Sequence, residues 1–349
     1  MNTMKGKMLV CIGLLVCVMV IFCSLGKAEE KLASSISAYM AVTPDNNKLL
    51  ADFIKEKLGV TVNQQYMSCG EIQSRIMAEA PRFSADMVIH ACGPQAFLAK
   101  EKGWSVPYDS STWRGASEVW KDPDNYWFSH GTLSFFLVGS KKRLAEKGYT
   151  MPESWDDLLD PKWKGEIITS SPLTSGAAFR ILFSFMTLYG FNQGKGEDGG
   201  WTYWKALDEN IHHYTRSGNA PSELCGKGEF LLGIAYSVGA LDRANKGYPI
   251  YVSVPKEGTG YGPAPTFILK GTKNLEACQK IIDLLGSTEG AKFMAGLGGY
   301  DTKDPAAASP VLKELFPNGI NYIPNLDLKW AYGNKKRLIK EWKDRFLKN

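Results

Sequence analysis

The chain has 349 residues, a formal net charge of +5, 44% hydrophobic residues and 12% aromatic residues. This length suffices for two domains of ordinary size, and the composition excludes an intrinsically disordered chain. Removing residues 1–28 lowers the net charge from +5 to +2, because that segment holds three lysines and no acidic residue. A nearly neutral remainder argues against nucleic-acid binding, which needs a concentrated basic face.

The N-terminus has the pattern of a signal peptide. Lys5 and Lys7 precede an apolar stretch at residues 8–22 that is short for a membrane span. Small residues at Gly26 and Ala28 predict cleavage before Glu29, which makes residues 1–28 the signal peptide and the mature protein periplasmic. Lipidation of Cys23 is the alternative, although the bulky Phe22 before it disfavours a lipid anchor.

The first third of the chain alternates strands with helices. Thr43 and Pro44 suit a helix start, because a hydroxyl caps the helix and proline fits its first position. Gly59 and Pro81 each end a predicted helix. The predicted strands, each followed by a helix, span residues 36–42, 60–67 and 85–91. This alternation predicts a parallel sheet, whose ligands lie beyond the C-terminal ends of the strands.

The second half repeats the alternation with longer helices. Ser154 is predicted to cap a helix over residues 152–159, and the Gly-rich residues 194–200 are predicted to form a surface loop. The basic tail at 335–347 is predicted to be an amphipathic helix docked on the protein. Further strands are predicted at residues 133–139, 166–170, 231–236, 250–254 and 266–269. Further helices are predicted at residues 176–189, 274–285 and 287–294.

Three turns between a strand and a helix combine hydroxyl groups with a glycine. They lie at residues 68–70, 170–176 and 217–218. Unpaired backbone N–H groups at a helix start, together with the positive end of the helix dipole, favour an anion. We therefore expect these turns to converge on one anion site. The alternative for Ser175 is that it only caps the helix that follows.

Several motifs resemble one family of receptors. They are Pro-Lys-Trp-Lys-Gly at 161–165 with Thr-Ser-Gly-Ala-Ala-Phe at 174–179, Ser-Cys-Gly-Glu at 68–71, and Gly-Thr-Lys-Asn-Leu-Glu-Ala at 271–277. They resemble the periplasmic solute-binding proteins of the importers for ferric iron, thiamine and phosphorylated solutes. The resemblance covers most of residues 34–300.

This resemblance implies an α/β, two-lobed periplasmic binding protein fold of type II, with central mixed sheets flanked by helices and a cleft between the lobes. Lobe 1 would comprise residues 29–131 with about 260–310, and lobe 2 residues 132–259 with about 311–349. It also implies a monomer that captures a small ligand by hinge closure and hands it to the permease subunits of an ABC transporter.

The ligand class follows from the same resemblance. In the ferric receptors two adjacent tyrosines bind iron, whereas this chain has Tyr236 followed by Ser237. The hydroxyl-rich turns remain, which favours a phosphorylated sugar or another organophosphate over ferric iron, the alternative cargo. The expected ligand-binding residues are Ser37, Tyr39, Ser68, Cys69, Gly70, His90, Ser170, Ser171, Thr174, Ser175, Gly176, His213, Ser217, Gly218, Glu229 and Tyr236.

Some of these residues also have simpler interpretations. Tyr39 and Tyr236 are candidates to cover a sugar ring, with core packing as the alternative. Glu229 is a candidate to accept sugar hydroxyls, with a surface role as the alternative. His212 and His213 should point to opposite sides if extended, so at most one of them would reach a ligand.

A secreted phosphoesterase is the competing class of protein. Such an enzyme needs clustered metal ligands or an activated nucleophile, and the sequence has no Gly-x-Ser-x-Gly, no His-Glu-x-x-His and no acidic metal cluster. We expect no enzyme activity, no cofactor and no bound metal. Without the signal peptide four cysteines remain, and their pairing is open among three disulfide arrangements and free thiols.

Overall fold

The computed structural model describes residues 32–41, 44–298 and 301–347. The predicted signal peptide and the alternative lipid anchor at Cys23 lie outside these residues. Within them, no helix combines the length and the apolar character needed to span a bilayer.

The ten strands of the described residues form one mixed sheet, which has two halves. They are β1 (Ser35–Met40), β2 (Thr61–Tyr66), β3 (Met87–Ile89), β4 (Ser105–Val106), β5 (Phe128–Ser140), β6 (Ile167–Ser170), β7 (Ile211–Thr215), β8 (Leu232–Tyr236), β9 (Ile250–Ser253) and β10 (Tyr261–Leu269). The order is β2-β1-β3-β10-β5-β8-β6-β7, with β4 beside β10 and β9 beside β5.

Helices cover both faces of this sheet. They are α1 (Pro44–Leu58), α2 (Cys69–Glu79), α3 (Gly93–Glu101), α4 (Lys141–Lys147), α5 (Gly176–Phe185), α6 (Gly196–Asp208), α7 (Ala220–Gly226), α8 (Ser237–Asn245), α9 (Leu275–Gly286), α10 (Thr288–Gly298), α11 (Pro310–Leu315), α12 (Leu328–Gly333) and α13 (Lys335–Phe346).

Two long strands join the halves. The N-terminal part of β5 pairs antiparallel with the first residues of β10, and its C-terminal part pairs with β8 and β9. The end of β10 pairs instead with β3 and β4. The register of the β5–β10 pair shifts between Pro263 and Pro265, where proline cannot donate a ladder hydrogen bond. Two of the crossings between the halves therefore run through this two-stranded connection, and the chain crosses once more between α10, which packs on the core of lobe 1, and α11, which packs on the core of lobe 2.

Each half of the sheet has a core on both faces. In the first half, Ala38 and Met40 face the cluster under α1 and α9, whereas Tyr39 faces the cluster under α2 and α3. In the second half, Phe135 and Phe136 face opposite clusters in the same way. This alternation follows from the two-residue period of a strand. We call the first half, with β1 to β4, lobe 1, and the second half, with β6 to β9, lobe 2.

The C-terminal helix docks as predicted. Leu338 and Trp342 of α13 are fully buried in the core of lobe 2. The indole of Trp342 meets the ring of Tyr214 edge-on, with ring centres 4.7 Å apart. Aromatic packing therefore holds α13 against lobe 2.

Two predicted elements are wrong. The predicted loop at 194–200 holds the start of α6, because Gly199 and Gly200 let this helix approach the backbone of residues 186–190 closely. A Cβ on Gly200 would lie 2.6 Å from the Cα of Met186. The predicted helix at 152–159 is only a 3-10 turn at Asp156–Leu159, and Ser154 engages the carboxylate of Glu257.

One of the disulfides that the sequence analysis left undecided is formed. Cys69 and Cys92 make a disulfide with a Cα–Cα distance of 5.9 Å, whereas Cys225 and Cys278 are free and buried. The disulfide joins the start of α2 to the residue just before α3, so it ties together two of the turns at the C-terminal edge of lobe 1.

Candidate ligand-binding site

The turn between β6 and α5 is buried and rich in hydroxyl groups. Ser170, Ser171 and Ser175 are at most 9% exposed. Ser175 Oγ accepts a hydrogen bond from the backbone N–H of Ala178 at 3.3 Å, so it caps α5. Its own O–H proton stays free to donate, since a cap uses the oxygen only as an acceptor. Ser170 Oγ has no hydrogen-bond partner among the described residues.

A second turn, between β7 and α7, is bonded to the first. Ser171 N donates to Thr215 O at 2.8 Å, and Thr174 Oγ1 donates to Arg216 O at 2.8 Å. A Cβ on Gly218 would lie 2.9 Å from Ser175 Oγ, so only glycine admits this approach.

The C-terminal end of β8 lies beside these two turns. Tyr236 N donates to Gly218 O at 2.9 Å, and a Cβ on Gly218 would lie 3.3 Å from Tyr236 Cβ. The predicted residues Ser170, Ser171, Thr174, Ser175, Gly176, Ser217, Gly218 and Tyr236 are thus brought together at one edge of lobe 2.

A buried arginine that the sequence analysis did not single out adjoins these turns. Arg180 of α5 is 9% exposed, its Nε has no hydrogen-bond partner among the described residues, and its guanidinium lies 5.9 Å from the centre of the Tyr236 ring. No carboxylate oxygen of the described residues lies within 4.0 Å of it. Burial raises the pKa of Tyr236, and Arg180 partly offsets this.

A second cation lies close to Arg180. Lys335 at the start of α13 is an exposed residue, but its ammonium lies over the Phe179 ring, 5.3 Å from the ring centre. Partial burial, followed by the charge of Arg180, lowers the pKa of Lys335. No ion pair among the described residues engages Lys335. Two positive charges therefore share this region, and no carboxylate of the described part of the chain pairs with either of them.

Tyr332 of α12 links this region to lobe 1. Its ring lies 5.9 Å from Phe179 of α5 and 5.9 Å from Phe97 of α3, measured between ring centres. Burial raises the pKa of Tyr332, and the neighbouring Arg180 partly offsets this. The cations thus lie beside a side chain that contacts helices of both halves of the sheet, α5 and α3.

The turn of lobe 1 differs from the two turns of lobe 2. Ser68 Oγ accepts from Glu71 N at 3.3 Å, and the Glu71 carboxylate accepts from Ser68 N at 2.7 Å. This capping box places a negative charge at the helix start, and the backbone hydrogen bond from Ser68 lowers the pKa of Glu71. This turn therefore differs from the two turns of lobe 2 in carrying its own carboxylate, and its convergence with them on one anion site stays a prediction. Cys69 is in the disulfide and Gly70 is exposed.

Two buried histidines lie where β3 ends and β5 and β10 pair. His90 and His130 have ring centres 5.2 Å apart, and Thr266 Oγ1 lies 3.3 Å from His130 Nδ1. Burial lowers the pKa of His90 to about 4. Burial, and then the neighbouring His90, lowers the pKa of His130 well below its usual value. Both imidazoles are therefore neutral near pH 7. In this form they can hydrogen-bond to a ligand but add no positive charge.

Two predicted residues of β1 lie apart from the turns. Tyr39 is fully buried, and its hydroxyl bonds with the Glu79 carboxylate and Ser84 Oγ, both at 2.7 Å. Ser37 lies near the start of β1, where its N–H donates to the Asp86 carboxylate at 2.8 Å. The structure therefore places Tyr39 in the core, which was its alternative interpretation.

Glu229 also lies apart from the turns. It is exposed and precedes β8, whereas Tyr236 ends that strand. At the rise of an extended chain the two residues are about 20 Å apart, so Glu229 lies at the opposite edge of the sheet.

The expected orientation of His212 and His213 is wrong. The register of the β6–β7 pair shifts between Ile167 and Ile168, which leaves His212 as an extra residue. Such a bulge turns consecutive side chains to one side. Both rings therefore pack on Phe230, with ring centres 5.1 and 5.5 Å away, and both histidines are exposed. His213 lies before the end of β7, apart from the turns.

Arg180, Tyr332 and Lys335 were not identified from the sequence. These residues differ in whether the sequence near them indicates a role in the site. Arg180 is the only charged residue in the otherwise apolar α5, and a lone charge inside an apolar helix is a signal that could have identified it. Tyr332 and Lys335 come from the C-terminal segment, and nothing local in the sequence connects them to the turns. Within residues 32–41, 44–298 and 301–347, no three His, Cys, Asp or Glu side chains group to hold a metal ion.

Comparison with known proteins identifies one family and several related proteins. The family described as "Bacterial extracellular solute-binding protein" matches residues 84–324. An uncharacterized protein of Haemophilus influenzae is 30% identical over 301 residues, covering 82% of this chain and 83% of the relative. Iron uptake protein A1 of Synechocystis sp. is 26% identical over 267 residues, covering 72% of this chain and 70% of that protein.

A solved structure has the same fold. The periplasmic binding protein AfuA from Actinobacillus pleuropneumoniae, with exogenous fructose-6-phosphate bound, aligns with a TM-score of 0.68 and 27% identity. The alignment covers 91% of this chain and 100% of that chain. The resemblance and the type II fold expected from the sequence are thereby confirmed. This chain belongs to the bacterial extracellular solute-binding proteins, the family that presents small ligands to the permeases of ABC transporters.

Proposed function

We propose that this protein binds a small anionic solute, a phosphorylated sugar or another phosphate ester, between its two lobes for delivery to the permease. The lobes in this proposal are residues 29–131 with about 260–310, and residues 132–259 with about 311–349. Hinge bending would occur at the paired strands β5 and β10, because two of the three connections between the lobes run through them. The protein would act as a monomeric receptor in the periplasm, without catalysis and without a cofactor.

The observation that carries this proposal is the buried guanidinium of Arg180. A buried charge is costly unless a partner of opposite charge or a set of hydrogen bonds stabilises it. Arg180 has no carboxylate within 4.0 Å among the described residues, and the ammonium of Lys335 adds to the positive potential. A dianionic phosphate between them would supply the missing charge and accept paired N–H donors from the guanidinium.

The hydroxyl turns supply the remaining donors. The O–H groups of Ser171 and Ser175 and the buried Ser170 hydroxyl adjoin the start of α5, where the helix dipole also favours an anion. Donors and cations thus surround one region from several elements. Phosphate oxygens can accept from all of them at once, which a neutral sugar cannot do.

Ferric iron is the second candidate, because one relative is named Iron uptake protein A1. Iron bound directly needs ionised, hard oxygen ligands. Burial raises the pKa of Tyr236, which opposes ionisation of its phenol, and Arg180 and Lys335 repel a trivalent cation. An anionic chelate of iron would avoid this repulsion, so the test includes iron with and without citrate.

Isothermal titration calorimetry tests the proposal. We expect fructose 6-phosphate to bind much more tightly than fructose, and the variant Arg180→Gln to weaken its binding by about 10- to 100-fold, the equivalent of a lost charged hydrogen bond. Arg82→Gln is the matched control, because Arg82 is exposed and lies in lobe 1. Equal binding of fructose, or stoichiometric binding of ferric iron without citrate, would overturn the proposal. Release of inorganic phosphate from the ester would instead indicate a phosphoesterase.

A further inference from the structure

Tyr332 of α12 contacts helices of both lobes through its ring. The ring centre lies 5.9 Å from that of Phe179 and 6.0 Å from that of Phe183, both in α5 of lobe 2. Towards lobe 1, the ring centre lies 5.9 Å from that of Phe97, and a Cβ on Gly93 would lie 3.2 Å from Tyr332 Cε2. The side chain is therefore packed between α5 and the first turn of α3.

The hydroxyl end of Tyr332 reaches β10, which connects the lobes. A Cβ on Gly262 of this strand would lie 2.5 Å from Arg180 Nε and 3.2 Å from Tyr332 Oη. The two polar atoms thus border the same small space, which the absence of a side chain at Gly262 leaves open. Arg180 lowers the pKa of Tyr332 against the effect of burial, through its charge and through a hydrogen bond to the phenol oxygen.

The contact with Tyr332 leaves other donors of Arg180 available. A guanidinium has five N–H donors in one plane, and a phosphate accepts two of them at once only when this plane faces it. Arg180 Nε has no hydrogen-bond partner among the described residues, and the Tyr236 ring centre lies 5.9 Å from the guanidinium. Contacts with two tyrosines restrict the orientation of this long side chain, and a restricted donor loses less entropy when an anion binds.

We propose that Tyr332 is a positioning residue of the anion site and couples that site to the closing of the lobes. Its hydroxyl orients the Arg180 guanidinium, and its ring makes the contact with α3 that is lost when the lobes separate. An anion held by Arg180 therefore favours the same arrangement as the ring contact, so that binding and closure reinforce each other. The inference rests on the proposed function, because it needs an anion at Arg180.

Tyr332→Phe tests the role of the hydroxyl, because it keeps the ring. In calorimetry we expect this variant to bind fructose 6-phosphate about three- to tenfold more weakly, the equivalent of one lost hydrogen bond. In the Arg180→Gln background the same change should have no further effect, since a residue that acts through Arg180 gives non-additive losses. A merely structural role of Tyr332 would give additive losses.

Tyr251→Phe is the matched control for the lost hydroxyl. Tyr251 is an exposed residue of β9, and its strand partner Gly139 also pairs with Leu232 at the start of β8. The anion site adjoins the other end of β8, so this variant should bind fructose 6-phosphate like the unchanged protein.

Tyr332→Ala tests the role of the ring, because it removes the contact with α3. Small-angle X-ray scattering without any solute should give a larger radius of gyration for Tyr332→Ala than for the unchanged protein or Tyr332→Phe. Phe97→Ala removes the same contact from the side of lobe 1 and should give a similar increase. This second variant carries the test if Tyr332→Ala does not keep the circular dichroism of the unchanged protein.

The outcomes separate this inference from the proposed function. If the unchanged protein binds fructose 6-phosphate and Tyr332→Phe binds it equally well, or if the losses in Tyr332→Phe and Arg180→Gln add, the positioning role is wrong and the proposed function stands. If the unchanged protein does not bind fructose 6-phosphate, the proposed function is wrong. Equal radii of gyration for Tyr332→Ala, Phe97→Ala and the unchanged protein, measured without solute, would overturn the coupling to closure in either case.

Discussion

At the scale of single residues, the hydroxyl of Ser175 serves two purposes. Its oxygen caps α5 by accepting from Ala178 N, and its proton remains available to an anion. Ser171 is arranged in the same way, since its Oγ accepts from Leu173 N at 3.3 Å. The capping interpretation is therefore confirmed for Ser175, and its role as a ligand contact remains a proposal.

We predict that Ser171→Ala and Ser175→Ala each weaken the binding of fructose 6-phosphate by about one to two decades. Each variant loses a hydrogen bond to a charged group, worth roughly 1.5 to 3 kcal/mol. Ser175→Ala should also lower the free energy of unfolding by about 1 kcal/mol through the lost cap. Calorimetry well below the melting temperature, on variants with unchanged circular dichroism, measures the affinities.

Ser68→Ala is the matched control for this prediction. Ser68 also caps a helix, but its turn already holds the Glu71 carboxylate, so the variant should lose stability with little loss of affinity. If both Ser171→Ala and Ser175→Ala bind like the unchanged protein, the turn after β6 is only a cap and the anion binds elsewhere.

His90 gives a prediction about pH. Its pKa is about 4 in the folded protein, against about 6.5 in an unfolded chain. Between these values the unfolded state binds more protons, so the contribution of His90 to stability falls as the pH falls from about 6.5 towards about 4. Asn tolerates the positive φ of 54° at this position and does not titrate.

We therefore expect the protein to lose about 2 kcal/mol of unfolding free energy relative to His90→Asn between pH 7.5 and pH 5. Urea titrations of both proteins at each pH measure this difference. Burial raises the pKa of Asp301 to about 6, which has the opposite effect on stability, but this contribution is common to both proteins and cancels. A pH-independent difference would contradict the burial of a neutral His90.

At the scale of elements, glycine decides how closely α6 packs on residues 186–190, which directly follow α5. The helix begins inside a segment with the composition of a loop, and its early glycines lie against the backbone of residues 186–190. Two helices can approach this closely only where side chains are absent from the contact. The same contact explains why this glycine-rich segment, whose composition is typical of a loop, forms the start of a helix.

Gly200→Ala should destabilise the protein by more than about 1 kcal/mol, because the new Cβ would lie 2.6 Å from Met186 Cα. Gly296→Ala is the control. Gly296 is exposed within α10 and a Cβ there meets no atom within 4 Å, so this variant should be stabilised by roughly 0.5 to 1 kcal/mol. Thermal unfolding of both variants measures the two effects, and equal shifts in melting temperature would contradict the packing argument.

At the scale of the whole molecule, two lobes with separate cores meet through β5 and β10. The proposed anion site draws on α5 and α13, which belong to lobe 2, and on Tyr332, which contacts both lobes. A ligand held by groups from both sides binds best when the cleft is shut, so it shifts the population of hinge conformations.

We predict that saturating fructose 6-phosphate lowers the radius of gyration in small-angle X-ray scattering, while fructose at the same concentration leaves it unchanged. The Arg180→Gln variant at a concentration that saturates only the unchanged protein should behave like the free protein. An identical scattering profile with and without saturating fructose 6-phosphate would argue against hinge closure.

Much of the fold follows from local pattern. The β1–α1–β2–α2–β3–α3 alternation, the cap at Ser175 and the helix end near Gly59 depend on neighbouring residues, which sequence patterns report directly. The motifs and their order along the chain are likewise sufficient to indicate the family. These features need no knowledge of distant contacts, because strand period, helix caps and breaking residues are local properties.

Other features were decided only by the tertiary structure. The bulge at His212 depends on pairing with β6, and the helix at Gly196 depends on space beside Met186. The clustering of Arg180 with Lys335, far apart in the sequence, depends on where α13 docks. The sequence by itself thus determined the type of fold and the hydroxyl-rich turns, whereas the charge and shape of the proposed site come from long-range packing, which brings together residues that carry no local signal of each other.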